Sequence, residues 1–287
     1  MKSARTVRTT TQKCVRDSAV RLKVEEAVRE EVSAVYQSSP VEIARSPSVV
    51  LGSDFYNQTV HSLAKALLGK VVVREVKDGV RLKGRIVETE AYPGSTDPAS
   101  HTYRGKTERN AAMFERAGTA YVYIIYGMYH CLNISSPEEG AGVLIRALQP
   151  LTGIETMRIF RKGGATLKQT DLCNGPGRLC QAFSITKTTF DKHDLHAGEA
   201  LWLEDDSAGP SEFTIVESPR IGINPKSHDA ESVRRPWRYY IMGCPDVSKK
   251  DKVAELVHGS TVSTVRAASG GSSSRGRRKT LDWALQQ

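Results

Sequence analysis

Hydrophobic positions change period several times along this chain, and each change marks an element. Val60, Leu63, Leu67 and Leu68 recur at helical spacing, with Asn57 placed to cap that helix and Gly69 placed to stop it. "KVVVREV" (70–76) and "VRLKGRIVETEAY" (80–92) then flank Asp78-Gly79, which reads as a β-hairpin. A polar loop (93–112) leads to "YVYIIYGMYHCLNI" (121–134), a second hairpin reversing at Gly127. "GAGVLIRAL" (140–148) predicts a buried strand and "GIETMRIF" (153–160) a helix. "NGPGRLCQAF" (174–183) opens with turn residues and continues as a short helix; "EALWLED" and "PWRYYIMG" are later strands. Strands outnumber helices without alternating with them, so the pattern predicts an α+β fold with a mainly antiparallel sheet.

The periodicity belongs to residues 49–257, read as one compact domain. Residues 1–48 form an extension whose first 23 residues carry seven Lys/Arg and only Asp17 as an acid. That arm fits a solvated tail, a DNA-contacting arm, a nuclear signal or an organellar transit peptide. Residues 258–287 include "ASGGSSSRGRRKT", a Gly/Ser-rich basic stretch expected to be flexible. The formal charge of +9 favours a polyanionic partner. No run approaches the roughly 18 apolar residues of a membrane-spanning helix, so no membrane partner is expected. The five cysteines are scattered without a CxxC pair, which points to a reducing compartment. Cys180 and His193 imitate a zinc-finger interval, but Cys173–Cys180 is too wide and His193–His196 too tight, so no metal site is expected.

Three local conflicts carry candidate chemistry. Glu88 and Glu90 end an apolar strand and share one face, which means either that the strand reaches solvent or that a general base faces a cleft. The Gly-rich turn before Arg178 reads as a structural turn or, alternatively, a phosphate cradle. Tyr121, Tyr123, Tyr126 and Tyr129 lie within nine positions of a chain with 7% aromatic residues. Tyr121 and Tyr129 read as core residues. Ile125 breaks the alternation and pushes Tyr126 out at the bend, the shape of a wedge for a base stack.

Taken together, "VETEAYPG", "ASHTYRGKTERNAAMF", "YVYIIYGMYHCLNISS", "GVLIRALQPLTGIETM" and "LCNGPGRLCQAF" resemble the alkyladenine (3-methyladenine) DNA glycosylase family, in family order over about residues 49–250. The resemblance implies one α+β domain with a curved, mainly antiparallel sheet and a protruding DNA-intercalating hairpin. It implies a monomer that binds the minor groove of double-stranded DNA containing damaged purines, without a cofactor, in the nucleus or, through the N-terminal segment, an organelle. Carried over by position, Glu90 is the base that activates water and Arg146 helps to place that water. Tyr126 intercalates; Tyr92, His101 and Tyr123 sandwich the flipped base; Asn133 borders the pocket and screens against guanine. Glu108 and Cys244 depart from the family pattern, where Pro and Ser are expected. The rival expectation is a catalytically silent nucleic-acid-binding protein on the same scaffold.

Overall fold

The computed structural model describes residues 49–206, 212–225 and 229–258. The expected N-terminal extension (1–48) and all but the first residue of the expected C-terminal tail (258–287) lie outside the described residues. The chain divides after Lys250. Of the second unit, a short helix over 252–258 is described.

The first unit is built on β2 (Arg81–Tyr92), the longest strand. One edge of β2 pairs with β5 (Gly142–Thr152) along most of its length. Its other edge is shared: β1 (Val71–Glu75) takes residues 81–85 and β8 (Arg238–Ile241) takes Glu88–Glu90. Outward from β5 come β4 (Tyr129–Ser135) and β3 (Ala120–Ile125); outward from β1 comes β6 (Leu201–Glu204), and β7 (Ile215–Ser218) pairs with β8. These pairings are all antiparallel, so the fold is α+β, as the strand pattern predicts.

Between β2 and β5 the register skips Val87 on one strand and Arg146 on the other. Such bulges bend a sheet and re-aim the extra residue. Here the re-aimed residue is Arg146.

The helix over Val60–Ala66 buries Val60, Leu63 and Ala64 and packs on β2, where Thr89 Oγ1 donates to the Ala64 carbonyl at 2.8 Å. Each large apolar side chain buried this way contributes roughly 1.5–3 kcal/mol. Thr59 caps this helix, its hydroxyl accepting the Ser62 N–H, whereas Asn57 ends the preceding short helix, Ser53–Tyr56. Both residue types favour N-caps, so propensity alone does not choose between them. Gly69 stops the segment with φ +84°, a conformation that costs glycine nothing. The helix over Pro176–Ala182 buries Leu179 and Cys180 against β4 and β5, which places its leading turn beside the β3–β4 hairpin.

Candidate active site

Glu88 and Glu90 are 0% exposed, so the strand does not reach solvent there. The cause is topological: β5 and β8 flank this end of β2 on both edges. Two buried carboxylates require partners, and the bulge on β5 supplies one. Arg146 Nε lies 3.4 Å from Glu88 Oε1, and its Nη1 lies 3.3 Å from Glu90 Oε1. Burial opposes the guanidinium's charge, but Glu90 and then Glu88 outweigh it, so Arg146 is held above the ordinary arginine range.

The two carboxylates differ in what else holds them. Glu88 accepts from Arg238 Nη1 and from the Ser248 N–H, both at 2.8 Å, and ties β8 to the following loop. Glu90 accepts the Tyr92 hydroxyl at 2.9 Å and the Ile221 N–H at 2.7 Å. Tyr92, Ile221 and Arg146 all line a cavity of about 350 Å³. Glu90 therefore sits one layer behind the cavity wall, touching that wall at three points.

The aromatic rings of the cavity wall carry no net charge, and Arg146 is the charged residue of its lining. His101 Nδ1 is 3.1 Å from the Tyr121 hydroxyl, and the His101 ring meets Tyr123 edge-on at 4.6 Å. Tyr121 and Tyr123 stack with centroids 5.4 Å apart. Burial pushes the Tyr121 phenol up to about 12 and raises Tyr92 and Tyr123 as well; burial, with Arg109 second, lowers His101. At neutral pH the phenols and the imidazole are uncharged, which suits a flat base and does not repel a cationic one. Asn110 Nδ2 donates to the His101 carbonyl at 2.9 Å and fixes the loop that carries this ring.

Asn133 on β4 lines the same cavity and is 6% exposed. Its Nδ2 donates to the carbonyl of its cross-strand partner Tyr121 at 3.0 Å, which locks the amide in one orientation.

The β3–β4 hairpin turns over Ile125–Met128, closed by the Met128 N–H on the Ile125 carbonyl at 3.3 Å. Tyr126 and Gly127 both have positive φ, +53° and +70°, as the central residues of a type I′ turn do. Glycine adopts it freely; for tyrosine it costs on the order of 1–2 kcal/mol. The strained ring is 81% exposed, with Met128 beside it at 65%. Tyr129, expected in the core, is instead 40% exposed. Tyr129 opens β4 at its exposed end, where its side chain lies over Gly177 at the edge of a cleft rather than in the core.

Tyr126 also borders a second cleft of about 590 Å³ whose lining includes Arg146, Arg161, Arg178 and Lys249 and no carboxylate. The turn before Arg178 thus faces an electropositive cleft.

Of the residues singled out in the sequence, Tyr92, His101, Tyr123, Tyr126, Asn133 and Arg146 line one cavity, with Glu90 behind it. Tyr121, read as core alone, is both buried and a wall of the cavity. The segment Ile221–Ile223 was not read as part of the site; it is irregular backbone following the four-residue strand β7, which is itself too short for a periodic signal.

A family model described as methylpurine-DNA glycosylase matches residues 54–245. A human protein named DNA-3-methyladenine glycosylase is 49% identical over 229 residues, 77% of this chain and 74% of its own length. A mouse protein of the same name is 47% identical over 232 residues, 77% of this chain and 67% of its own. A Clostridium perfringens relative is 47% identical over 208 residues, which cover 70% of this chain and 99% of the relative.

Proposed function

The chain belongs to the methylpurine-DNA glycosylase family, and we propose that it initiates base-excision repair by hydrolysing the N-glycosidic bond of alkylated or deaminated purines in double-stranded DNA. The substrates in this reading are 3-methyladenine, 7-methylguanine, hypoxanthine and ethenoadenine, each flipped from the duplex before cleavage. One observation carries the proposal: a fully buried carboxylate, Glu90, stands directly behind a tyrosine-lined cavity that has an exposed, strained tyrosine at its rim.

The protein approaches DNA as a monomer from the minor groove, and the Arg161, Arg178 and Lys249 cleft supplies attraction for the phosphodiester backbone. Tyr126 fills the hole left by the extruded nucleotide. Tyr92, His101 and Tyr123 line the pocket that sandwiches the bound base, and a main-chain amide at His101 is available to the base edge. Alkylation at N3 or N7 makes the purine cationic, so it leaves as a neutral base without a dedicated acid. A neutral lesion such as hypoxanthine takes up a proton as it leaves. Water enters beside Arg146, whose Nε makes no hydrogen bond and whose contacts to Glu90 and Glu88 are long. Glu90 takes a proton from that water, the oxygen bonds to the sugar C1′, and the C1′–N bond breaks. The carboxylate also offsets the positive charge that develops on the sugar.

With water as the nucleophile, no Schiff base forms and the strand stays intact. Residues 49–257 form the catalytic domain in this reading, and the two tails add non-specific affinity for nuclear DNA. Incubating the protein with a labelled duplex carrying one hypoxanthine, followed by alkali, tests the proposal. A single alkali-labile break at the lesion is expected, and its absence identifies a silent binding protein instead.

A further inference from the structure

One buried ion pair outside this chemistry reaches several walls of the site. The side chains of Arg220 and Asp97 are fully buried and meet as a fork, Nη1 donating to Oδ2 and Nη2 to Oδ1, the latter at 3.0 Å. Nη1 also donates at 3.1 Å to the carbonyl of Ala91, the residue between Glu90 and Tyr92. The guanidinium lies between the rings of Tyr92 and Trp237, 4.6 and 4.9 Å from their centroids. Asp97 accepts the Ala99 N–H at 3.1 Å, at the start of the 99–101 stretch that lines the cavity. The residue after Arg220 is Ile221, whose N–H is held on Glu90 Oε1 at 2.7 Å.

A buried pair of this kind often adds little net stability over a well-packed apolar pair of the same size. Its distinctive contribution here is geometric. The planar fork satisfies an anion, a β2 carbonyl and two ring faces at once, which a lysine ammonium cannot do.

We infer that Arg220, held by Asp97, is a positioning residue for base excision: it sets the Ile221 N–H and the Tyr92 hydroxyl against Glu90. This rests on the glycosylase reading above and extends it to a pair that touches neither the water nor the base. The pair joins three segments, 90–92, 97–101 and, 123 residues beyond Asp97, 220–223, and each of them supplies a wall of the cavity or a contact to the carboxylate. A displacement of about 1 Å at such a site costs roughly 10²-fold in rate.

The test is Arg220→Lys in the full chain, alone and combined with Glu90→Gln, read by single-turnover excision of hypoxanthine and by thermal unfolding. The expected result is a cooperatively unfolding protein whose excision rate falls about 10–100-fold, on the scale of that displacement. In the Glu90→Gln background the same substitution should cost less than about threefold, because the two residues act through one carboxylate. Wild-type-like excision by folded Arg220→Lys, or an equal loss in both backgrounds, overturns the inference. Should Arg220→Lys fail to fold, Trp237→Leu carries the test, since it removes one supporting ring and leaves the ion pair in place. A drop of about 3–10-fold in excision then supports the inference, and an unchanged rate overturns it. Wild-type protein that excises nothing contradicts the glycosylase reading and the inference together, whereas wild-type excision with unaffected variants contradicts the inference alone.

Discussion

Glu90, behind the wall of the cavity, and Tyr126, at its rim, stand at opposite extremes of exposure, 0% and 81%. Around Glu90 the structure is closed: strands on both edges, a guanidinium, a phenol and a main-chain N–H all converge on one carboxylate. Around Tyr126 it is open, with a left-handed backbone and an apolar ring in water. Burial fixes a reacting group to within tenths of an ångström, but it also removes that group from any partner that must be gripped from outside. An exposed ring gains nothing from the isolated fold; in the proposed function its stabilisation comes when a base stack closes around it. The proposed function accordingly puts chemistry in the closed region and base extrusion in the open one.

The largest expected effect breaks the closed region. Glu90→Gln keeps the side chain's shape and removes the proton acceptor, so single-turnover excision of hypoxanthine should fall at least about 10²–10⁴-fold. Excision within about threefold of wild type removes Glu90 from the role of base.

Next in size is Asn133, where the two regions meet, on the strand that returns from the hairpin into the cavity. Its orientation is locked by the Tyr121 carbonyl, and in the proposed function that fixed edge meets the purine's minor-groove side. Guanine differs from hypoxanthine there by an exocyclic amino group, and a fixed amide excludes it by contact. Asn133→Ala should raise the guanine-to-hypoxanthine excision ratio about 10–200-fold. A ratio that stays at the wild-type value in a folded protein makes Asn133 purely structural.

A third substitution acts on the open region alone. Tyr126→Ala should weaken base extrusion by about 1–3 kcal/mol, the scale of one aromatic–base stack, read as reduced quenching of a 1,N6-ethenoadenine duplex. Tyr126→Gly should weaken it equally and raise the thermal stability of the free protein, because glycine relieves about 1–2 kcal/mol of left-handed strain. Lower stability in the glycine variant means that the ring packs on the fold after all.

The smallest effect lies outside both regions. A chain of residues 49–257 should excise at close to the wild-type rate, with weaker non-specific binding and a shallower dependence on salt. An unfolded product shows instead that the tails belong to the domain.

Much of this architecture was legible as pattern. The two hairpins, the β5 strand and the Ile154–Phe160 helix follow from periods of two and 3.6 and from Gly placement, because local geometry alone decides them. Tyr126 was legible for the same reason, since broken alternation at a bend leaves a side chain nowhere to pack. Other features depend on pairing across long distances and carry no local signal. Nothing near Arg146 announces that it is the skipped residue of a bulge, and nothing near Asp97 announces Arg220. The exposure of Tyr129 was misread because strand periodicity reports which face a residue takes, not whether anything covers that face. The roles of Glu90 and Arg146 came from resemblance; their convergence came from the register of β2 against β5.

The division between the two regions is tested most directly by one sample carrying two readouts. Glu90→Gln is mixed with a 1,N6-ethenoadenine duplex, and fluorescence quenching and released base are followed together. The predicted result is quenching of wild-type amplitude with almost no base released, since the wedge and the aromatic walls are intact and only the proton acceptor is gone. Base released at the wild-type rate, or no quenching at all, contradicts the assignment of chemistry to Glu90 and extrusion to the hairpin.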